Sequence, residues 1–235
     1  IGQNGIGILS SYAKLIVITY ASLILFVIGV LFIACKIINV PFRSLLVALK
    51  EPALLAFTTA SSEAALPKAM DVMEKFGVPK NIVSFVMPTG YTFNLDGSTL
   101  YLSLTALFCA QIAGVELNIS QQLAIMLTLM LTSKGIAGVP RVSLVVLTGT
   151  LAGFHLPVIG VAILLGIDQI LDMGRTTVNL IGNCVATAVV AKWENAFDYE
   201  KMHLFIKDTI QSKKNIQIKE FTKKQTKVEA KEENF

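Results

Sequence analysis

The sequence predicts an all-α polytopic membrane protein whose apolar helices are interrupted by short polar segments. Of its 235 residues, 54% are hydrophobic and 15% are charged, and the mean hydropathy is +0.66, whereas soluble domains carry about 25% charged residues. The stretch 81–191 holds only seven charged side chains. The run Leu15–Cys35 holds none over 21 residues, and a membrane-spanning helix needs about 20 apolar residues.

The first element, residues 1–38, is predicted to be a transmembrane helix. Its uncharged core, Leu15–Cys35, is bounded by Lys14 and Lys36. A secretory signal peptide is disfavoured because the apolar run is too long and no small-residue cleavage site follows it. Since the chain starts at Ile1 rather than Met, we expect a piece of a longer protein whose N-terminal part precedes this helix.

Two later units, residues 39–80 and 117–155, share one plan: a half-length apolar helix, a polar tip and a second half-length helix. The tips have the sequences TTASSEAALP and SKGIAGVP. Because each arm is too short to cross a bilayer alone, we predict two re-entrant helical hairpins, whose non-helical tips must be buried in protein or line a cavity. Paired short segments of this kind are the best sequence indication of a transporter binding site.

Each predicted hairpin is followed by a helix that contains polar residues. Residues 81–116 are predicted to be a transmembrane helix interrupted at GYTFNLDGS, and residues 156–196 one transmembrane helix with the continuous core Val158–Val190. Residues 197–235 form a polar tail with nine lysines. Lys-rich tails near a span tend to remain cytoplasmic, so the C-terminus is expected inside the cell. The formal charge of +4 sits largely in this tail and does not indicate a nucleic-acid partner.

The stretch IDQILDMGRTTVNLIGN carries a stripe of polar residues. At about 100° per residue they fall within a narrow arc of one helix face, and the residues outside that arc are mostly apolar. The stripe consists of Asp168, Asp172, Arg175, Thr176, Asn179 and Asn183. Ionisable residues inside a membrane are costly and usually mark a substrate or ion path.

The chemistry of the stripe suits a zwitterionic acid. Arg175 can hold a carboxylate with a bidentate fork, Asp172 can accept from an ammonium, and Asn179 can serve the α-carboxylate. The set describes an acidic amino acid better than a dicarboxylate, which has no ammonium for Asp172. The alternative is a structural Asp172–Arg175 pair inside a helix bundle, which would not require the other polar residues on the same face.

The interruption GYTFNLDGS suits a cation. Asn, Asp and Gly are poor helix formers. Carbonyl groups freed from a helix can coordinate a hard cation together with the Asp96 carboxylate and the Asn94 amide. The alternative is a kinked helix in which Asp96 pairs with a lysine or arginine.

The two hairpin tips offer mainly backbone chemistry. Ser61 and Ser62 precede a helix, whose exposed N–H groups and dipole favour a carboxylate. Gly135 and Gly138 permit close backbone approach and hinge motion. Either tip taken alone could be an ordinary surface loop. Glu63 has two interpretations, a proton carrier or an acid that caps the helix N-terminus.

From about Ile8 to Asn195 the chain resembles the dicarboxylate/amino acid:cation symporter family, the glutamate transporter homologues. The resemblance rests on four motifs in order: the Ser-Ser tip, NLDG, AGVP and DMGRTTVN. It implies the transport-domain half of the family fold, made of helix 6, hairpin 1, helix 7, hairpin 2 as the extracellular gate, and helix 8. It also implies a homotrimer in the cell membrane, assembled through N-terminal helices outside this chain, whose transport domains move like elevators.

The same resemblance assigns site residues by their position in the motifs. It places the substrate against Ser61, Ser62, Ser98, Val139, Asp172, Arg175, Thr176 and Asn179. It places cations, with sodium among them, at Gly90, Thr92, Asn94, Asp96, Asn179 and Asn183. It implies no cofactor besides the coupling ions, protons and/or sodium.

Several positions depart from the sodium-coupled pattern of that family. Asn183 stands where sodium-coupled members typically carry Asp, Ile136 where they often carry Thr, and Ser98 where Thr is usual. Leu102 stands where some members carry a proton-accepting Glu. Because a hard cation needs charged oxygen to offset its dehydration, the change at position 183 weakens a sodium site. The pattern fits a bacterial member coupled to protons or to fewer sodium ions, with Glu63 or a substrate-site carboxylate as proton carrier.

The expected function is secondary active symport of L-glutamate or L-aspartate across the bilayer, coupled to protons and/or sodium. The alternative is transport of cystine or C4-dicarboxylates by the same fold, although Asp172 disfavours dicarboxylates and Arg175 disfavours neutral substrates. An enzyme is disfavoured because the sequence has no His-x-x-Glu-His, Gly-x-Ser-x-Gly or Cys-pair motif. A channel has no need of groups for both an ammonium and a carboxylate on one helix.

Overall fold

The computed structural model describes residues 7–134, 142–209 and 211, and this part of the chain is helical and contains no β-strand. The all-α prediction is confirmed for these residues. The helices are α1 (Gly7–Phe26), α2 (Phe32–Ile37), α3 (Phe42–Ala48), α4 (Lys50–Thr59), α5 (Ser62–Lys75), α6 (Lys80–Phe93), α7 (Asp96–Ile112), α8 (Ile119–Thr132), α9 (Val142–Gly153), α10 (Ile159–Leu164) and α11 (Asp168–Trp193). A π-helical turn, Val27–Leu31, joins α1 to α2, and residues 199–209 are helical beyond α11.

The first helical segment is long and largely uncovered. Its apolar part, Leu9–Ile37, has 29 residues and is the one helix in the described part of the chain that is long and apolar enough to cross a membrane. Val17, Leu25 and Ile37 are 66%, 72% and 73% exposed. So many exposed apolar side chains indicate that lipid or further protein surrounds this helix. The helix stops at Asn39, whose φ of 56° is left-handed.

The segment that resembles hairpin 1 has one more break than the sequence suggested. The helix-like run from Phe42 to Thr58 is divided into α3 and α4 at Leu49. Pro52 accounts for the division, because it has no N–H to donate to the carbonyl of Ala48. α4 and α5 pack against one another, and both lie against α11.

The turn between α4 and α5 is built by local hydrogen bonds. Ala60 ends α4 with a left-handed φ of 48°. Ser61 is extended, and its Oγ accepts a hydrogen bond from the Ala64 amide at 3.3 Å, which is the usual arrangement of a serine N-cap. The Ser61 amide in turn donates to Thr59 Oγ1 at 3.2 Å.

Two non-helical residues separate α6 from α7. Asn94 has φ −101° and ψ 70°, and Leu95 has φ −105° and ψ 54°. The Asn94 amide still bonds to the Gly90 carbonyl at 2.7 Å, so α6 is closed before the chain turns. α7 begins at Asp96, whose carboxylate lies in the first turn, where the helix dipole favours an anion. The break falls within GYTFNLDGS.

α8 begins with a capping box. Asn118 Oδ1 accepts from the Gln121 amide at 2.9 Å, and Gln121 Oε1 accepts from the Asn118 amide at 3.0 Å. α8 and α9 pack against one another. Residues 135–141, which include the AGVP motif, lie outside the described residues.

The helix expected over Val158–Val190 is not continuous. The structure divides it into α10 and α11, with a turn at residues 165–167 between them. Gly166 weakens the helix there, and the Ile167 amide bonds only three residues back, to Leu164 O at 3.0 Å. The division places Asp168 in the first turn of α11.

Two apolar clusters pack around α11. The α5 cluster includes Met73, Val83, Met87, Leu180, Cys184 and Ala188. The α7 cluster includes Tyr101, Leu102, Leu147, Leu151, Leu164 and Leu171. Along α11 the buried apolar side chains therefore change from the α7 cluster to the α5 cluster between Leu171 and Leu180, and most of the polar stripe lies at that changeover.

Candidate functional site

α11 buries the whole polar stripe. Each stripe residue is at most 9% exposed. They are Asp168, Asp172, Arg175, Thr176, Asn179 and Asn183. A buried polar group without a hydrogen-bond partner costs free energy, so the partners of these side chains show which of them are satisfied by the protein.

Arg175 and Asp172 form a buried ion pair. Arg175 Nε donates to Asp172 Oδ1 at 2.8 Å, and Thr176 Oγ1 donates to the same oxygen at 2.9 Å. Arg175 Nη1 is buried and has no partner in the described part of the chain. The pair thus fixes the side of the guanidinium that carries Nε and leaves a terminal nitrogen for a ligand carboxylate.

The ring of Tyr101 on α7 packs against the guanidinium of Arg175. The Arg175 guanidinium carbon lies 4.5 Å from the centroid of the Tyr101 ring, a cation–π distance. The Tyr101 hydroxyl donates to Asp168 Oδ1 at 2.7 Å. Sequence reasoning missed Tyr101, because a tyrosine in an apolar helix carries no signal that separates it from a core aromatic.

Ser98 and Asn179 join the start of α7 to the middle of α11. Asn179 Nδ2 donates to Ser98 Oγ at 2.9 Å, and the Ser98 amide donates to Asn179 Oδ1 at 3.2 Å. These two bonds use one amide hydrogen of Asn179, so the second remains for a ligand. The structure thus brings together five of the predicted substrate residues on two helices.

Gly97 lets α7 approach the backbone of α11. A Cβ atom at position 97 would overlap the Arg175 carbonyl oxygen. Since backbone cannot move aside as a side chain can, a glycine is required at this contact. The close approach explains how the short side chain of Ser98 reaches Asn179.

Several residues predicted to bind cations lie close to the contact between α7 and α11. A Cβ at Gly182 would lie 2.9 Å from Asp96 Oδ2 and 3.7 Å from Asn94 Nδ2. On the next residue, Asn183 Nδ2 donates to Met87 O at 2.7 Å, and the buried Asn183 Oδ1 has no partner among the described residues.

A cavity of about 710 Å³ lies between α6 and α11 and is lined by some of the predicted cation ligands. Its lining includes Gly90, Asn94 and Asn183. Thr92, on the last turn of α6, is not part of that lining. The oxygens of Asp96, Asn94 and Asn183 suit a hard cation, but the neutral Asn183 supplies less charge than a carboxylate would.

Within the described residues, the turn between α4 and α5 shares no side-chain hydrogen bond with the stripe. The side-chain bond of Ser61 is to Ala64 on its own helix, and Ser62 is half-buried at the first position of α5. Glu63 is exposed in the first turn of α5, where an acid stabilises the helix. Val139, the remaining predicted substrate residue, lies outside the described residues.

The end of α8 contacts the break between α6 and α7. Ser133 Oγ lies 3.3 Å from Thr99 Oγ1, and Lys134 Nζ donates to Phe93 O at 2.8 Å. Residues just before the AGVP segment are therefore bonded to both sides of the NLDG interruption.

Comparison with known proteins places this chain among transporters. The model of the sodium:dicarboxylate symporter family matches residues 1–193. A proton/sodium-glutamate symport protein of Bacillus caldotenax is 48% identical over 212 residues, which are 90% of this chain and 50% of that protein. A proton/glutamate-aspartate symporter of Escherichia coli (strain K12) is 47% identical over 201 residues, 86% of this chain and 46% of that protein.

A third relative carries a different substrate in its name. A C4-dicarboxylate transport protein of Bacillus subtilis (strain 168) is 46% identical over 202 residues, 86% of this chain and 48% of that protein. The chain spans about half the length of the curated relatives it matches. Because the family match covers most of the chain, we conclude that it belongs to the sodium:dicarboxylate symporter family, a family of membrane transporters rather than enzymes.

Proposed function

We propose that this chain forms the substrate-carrying half of a secondary transporter that moves acidic amino acids, L-glutamate or L-aspartate, together with protons and/or sodium. The observation that carries the proposal is the buried Arg175, whose Nε is held by Asp172 while Nη1 has no partner in the described part of the chain. An unpaired guanidinium nitrogen in an apolar setting is a strong site for a carboxylate.

Each neighbour of Arg175 has a proposed part in holding the substrate. The free oxygen of Asp172 accepts from the substrate ammonium, and the second amide hydrogen of Asn179 serves the α-carboxylate. Ser98 and Thr176 position these two groups through their hydrogen bonds. Ser61, Ser62 and Val139 complete the site from the two tips, which bring backbone N–H groups to the carboxylates.

The helix lengths support the re-entrant arrangement. At 1.5 Å per residue, α4, α5, α8 and α9 are about 15, 21, 21 and 18 Å long, and all are shorter than a hydrocarbon core of about 30 Å. Residues 39–80 and 117–155 then serve as hairpins 1 and 2, and residues 81–116 as a span unwound at NLDG. We place the C-terminus in the cytoplasm and the full-length protein in a homotrimer with elevator-type movement.

The coupling ions are proposed to act through the α6–α7 break. A cation held by Gly90, Thr92, Asn94, Asp96, Asn179 and Asn183 would order the NLDG segment. Lys134 and Ser133 already contact both sides of that segment, so its ordering is linked to hairpin 2. Symport follows if hairpin 2 closes only when substrate and ion are both bound. Glu63 is one candidate for carrying the proton.

Transport of C4-dicarboxylates is the second candidate function. It is favoured by one observation, the 46% identity to a C4-dicarboxylate transport protein. Against it stands Asp172, because a dicarboxylate offers no ammonium to this carboxylate and would face its negative charge.

The test is uptake of labelled L-glutamate into proteoliposomes that hold the full-length protein. A proton gradient is imposed without sodium, and then a sodium gradient at equal pH. Uptake driven by protons alone is the expected result, because Asn183 supplies no charge to a sodium site. Uptake that needs sodium would show that the remaining oxygens suffice.

The variant Asn183→Asp sharpens this test. The added carboxylate should make uptake respond to the sodium gradient, because it supplies the charge that the site lacks. Asn118→Asp, on the exposed cap of α8, is the matched control and should leave the ion dependence unchanged. An absence of L-glutamate uptake under every gradient would refute the proposed function.

A further inference from the structure

Asp168 is a buried carboxylate to which the transport chemistry above gives no part. It is 1% exposed in the first turn of α11. Oδ1 accepts a hydrogen bond from the Tyr101 hydroxyl at 2.7 Å. Oδ2 is buried without a partner in the described part of the chain. The geometry therefore fixes one oxygen and leaves the other available for a proton.

The charge of Asp168 is not balanced by an ion pair of its own. Arg175 forms its ion pair with Asp172, and the described residues show no cation within ion-pair distance of Asp168. A charged carboxylate in an apolar environment is costly unless it is paired or neutralised. Tyr101 links Asp168 to the positive charge of Arg175, because its ring lies against the guanidinium and its hydroxyl donates to Asp168.

The other ionisable groups near the start of α11 are few. On α7 and α11 they are Tyr101, Asp172 and Arg175, and on α1 Tyr12 and Tyr20 donate to the carbonyls of Ile163 and Ile170. Lys14 lines a separate groove between α1 and α7. α9 and α10 contain no ionisable side chain. Nothing else in the described part of these elements is placed to exchange charge with Asp168.

We propose that Asp168 is the proton-binding site of coupled transport, and this proposal rests on the acidic-substrate function above. In the empty site the Arg175 charge stabilises the Asp168 carboxylate across Tyr101. When a substrate carboxylate binds Arg175, that stabilisation is shared with the ligand, and Asp168 takes up one proton on Oδ2. The proton comes from the outer solution and is released to the inner solution after the substrate leaves.

The step balances in charge and atoms. One O–H bond forms on Asp168 Oδ2 as the substrate binds and the same bond breaks when it is released, so one proton moves with each substrate. A bound L-glutamate adds one net negative charge to the site, and the proton removes it. The loaded site thus crosses the membrane with the same charge as the empty site with Asp168 ionised, which avoids a further buried charge.

Binding linkage tests the proposal directly. The dissociation constant of L-glutamate is measured by calorimetry on the full-length protein, without sodium, between pH 5.5 and 7.5. In this range the ligand side-chain carboxyl, with a reference pKa of about 4.3, stays ionised. If one proton is taken up with the substrate, the dissociation constant of the wild type rises about tenfold per pH unit in the upper part of the range, by linkage.

Asp168→Asn should reduce this dependence to less than about twofold per pH unit. Its amide oxygen can still accept from Tyr101, so the support of Arg175 is kept. His155→Gln is the control, because an imidazole also binds protons, and it should keep the wild-type slope. Glu63→Gln tests the other candidate proton carrier, and it too should keep the slope if Asp168 is the site. An Asp168→Asn protein that keeps the tenfold slope would overturn the proposal, as would loss of the slope in Glu63→Gln.

If Asp168→Asn fails to fold or to bind L-glutamate, the variant Tyr101→Phe tests the proposal instead. It removes the hydrogen bond to Oδ1 and keeps the ring beneath Arg175. The tenfold rise in the dissociation constant per pH unit should persist but begin at a higher pH, because the Asp168 carboxylate has lost a hydrogen-bond donor. A pH dependence identical to that of the wild type would overturn the proposal. A wild type that binds L-glutamate without pH dependence refutes the proton site alone, whereas a wild type that does not bind L-glutamate refutes the proposed function.

Discussion

The N-terminal half of α11 (residues 168–183) and its C-terminal half (residues 184–193) both contain buried side chains, but the polar groups of the two halves are satisfied in different ways. In the C-terminal half, Cys184, Val185 and Ala188 pack into the α5 cluster, and the buried Thr187 hydroxyl bonds within the helix to the Asn183 carbonyl at 2.7 Å. In the N-terminal half, polar side chains bond to α7. That half also contains buried atoms without partners in the described residues.

This difference in hydrogen bonding separates a part of α11 that packs against other helices from a part that can bind a ligand. The Thr187 hydroxyl bonds only to its own helix, whereas the polar side chains that bond between α11 and α7 can be rearranged around a ligand. Unpaired buried atoms such as Arg175 Nη1 are costly in a structure that does not use them. We therefore assign recognition to the N-terminal half and stability to the C-terminal half.

The largest expected effect is on the arginine. Arg175→Ala should lower uptake of acidic substrates by about 25-fold or more, since losing one partner of a buried charge pair costs about 2–5 kcal/mol and each 1.4 kcal/mol is tenfold. Arg175→Lys keeps the charge but loses the bidentate guanidinium, so its uptake should lie between those of the wild type and Arg175→Ala. Normal L-glutamate uptake by Arg175→Ala would refute the site assignment.

The contact between α7 and α11 should be nearly as sensitive. Gly97→Ala forces the helices apart at the Arg175 carbonyl, and overpacking of this kind costs about 1–3 kcal/mol. We expect a loss of about tenfold in apparent affinity for L-glutamate. Gly149→Ala on α9 is the control, since a Cβ there meets nothing within 4 Å. Equal affinities of the two variants would show that the helices need not touch.

The Ser98–Asn179 bond should have an intermediate effect. Ser98→Ala removes one neutral hydrogen bond, worth about 1 kcal/mol, so the apparent affinity should fall about fivefold. Ser103→Ala is the matched control, because this buried serine bonds only to Thr99 O of its own helix, at 2.8 Å. If both serine variants weaken binding alike, Ser98 has no particular link to the substrate.

The smallest effect on recognition should come from the α5 cluster. Met73 is fully buried there, so Met73→Ala should lower the free energy of unfolding by about 2–5 kcal/mol. The apparent affinity for L-glutamate should stay within about twofold, because no stripe residue loses a hydrogen bond. Thermal unfolding and uptake measured on one preparation separate the two quantities, and a large affinity loss would break the division of α11.

The helical period of the sequence was sufficient to predict the buried stripe. Six polar residues at helical spacing among apolar ones share a face whatever the neighbouring helices are, and Ser61 and Ser62 were expected just before an amphipathic helix, where α5 begins. The break at NLDG was also marked, by three poor helix formers within four residues.

Other features depend on contacts between elements and were not predicted. Tyr101 became part of the site only because α7 lies against α11 at Gly97. The turn between α10 and α11 was missed because Gly166 alone is a weak breaker, and many helices contain a glycine. The division at Leu49 had a local cause in Pro52, which the apolar run around it obscured.

The central claim is that the Asp172–Arg175 pair recognises an ammonium and a carboxylate together. The most direct measurement is inhibition of labelled L-glutamate uptake, in proteoliposomes with the full-length protein, by unlabelled L-glutamate and by succinate, which lacks the ammonium. We predict that succinate inhibits at least about tenfold more weakly, since it offers no ammonium to the second oxygen of Asp172 and leaves that buried oxygen without a donor. Inhibition by succinate at the same concentration as L-glutamate would contradict the account.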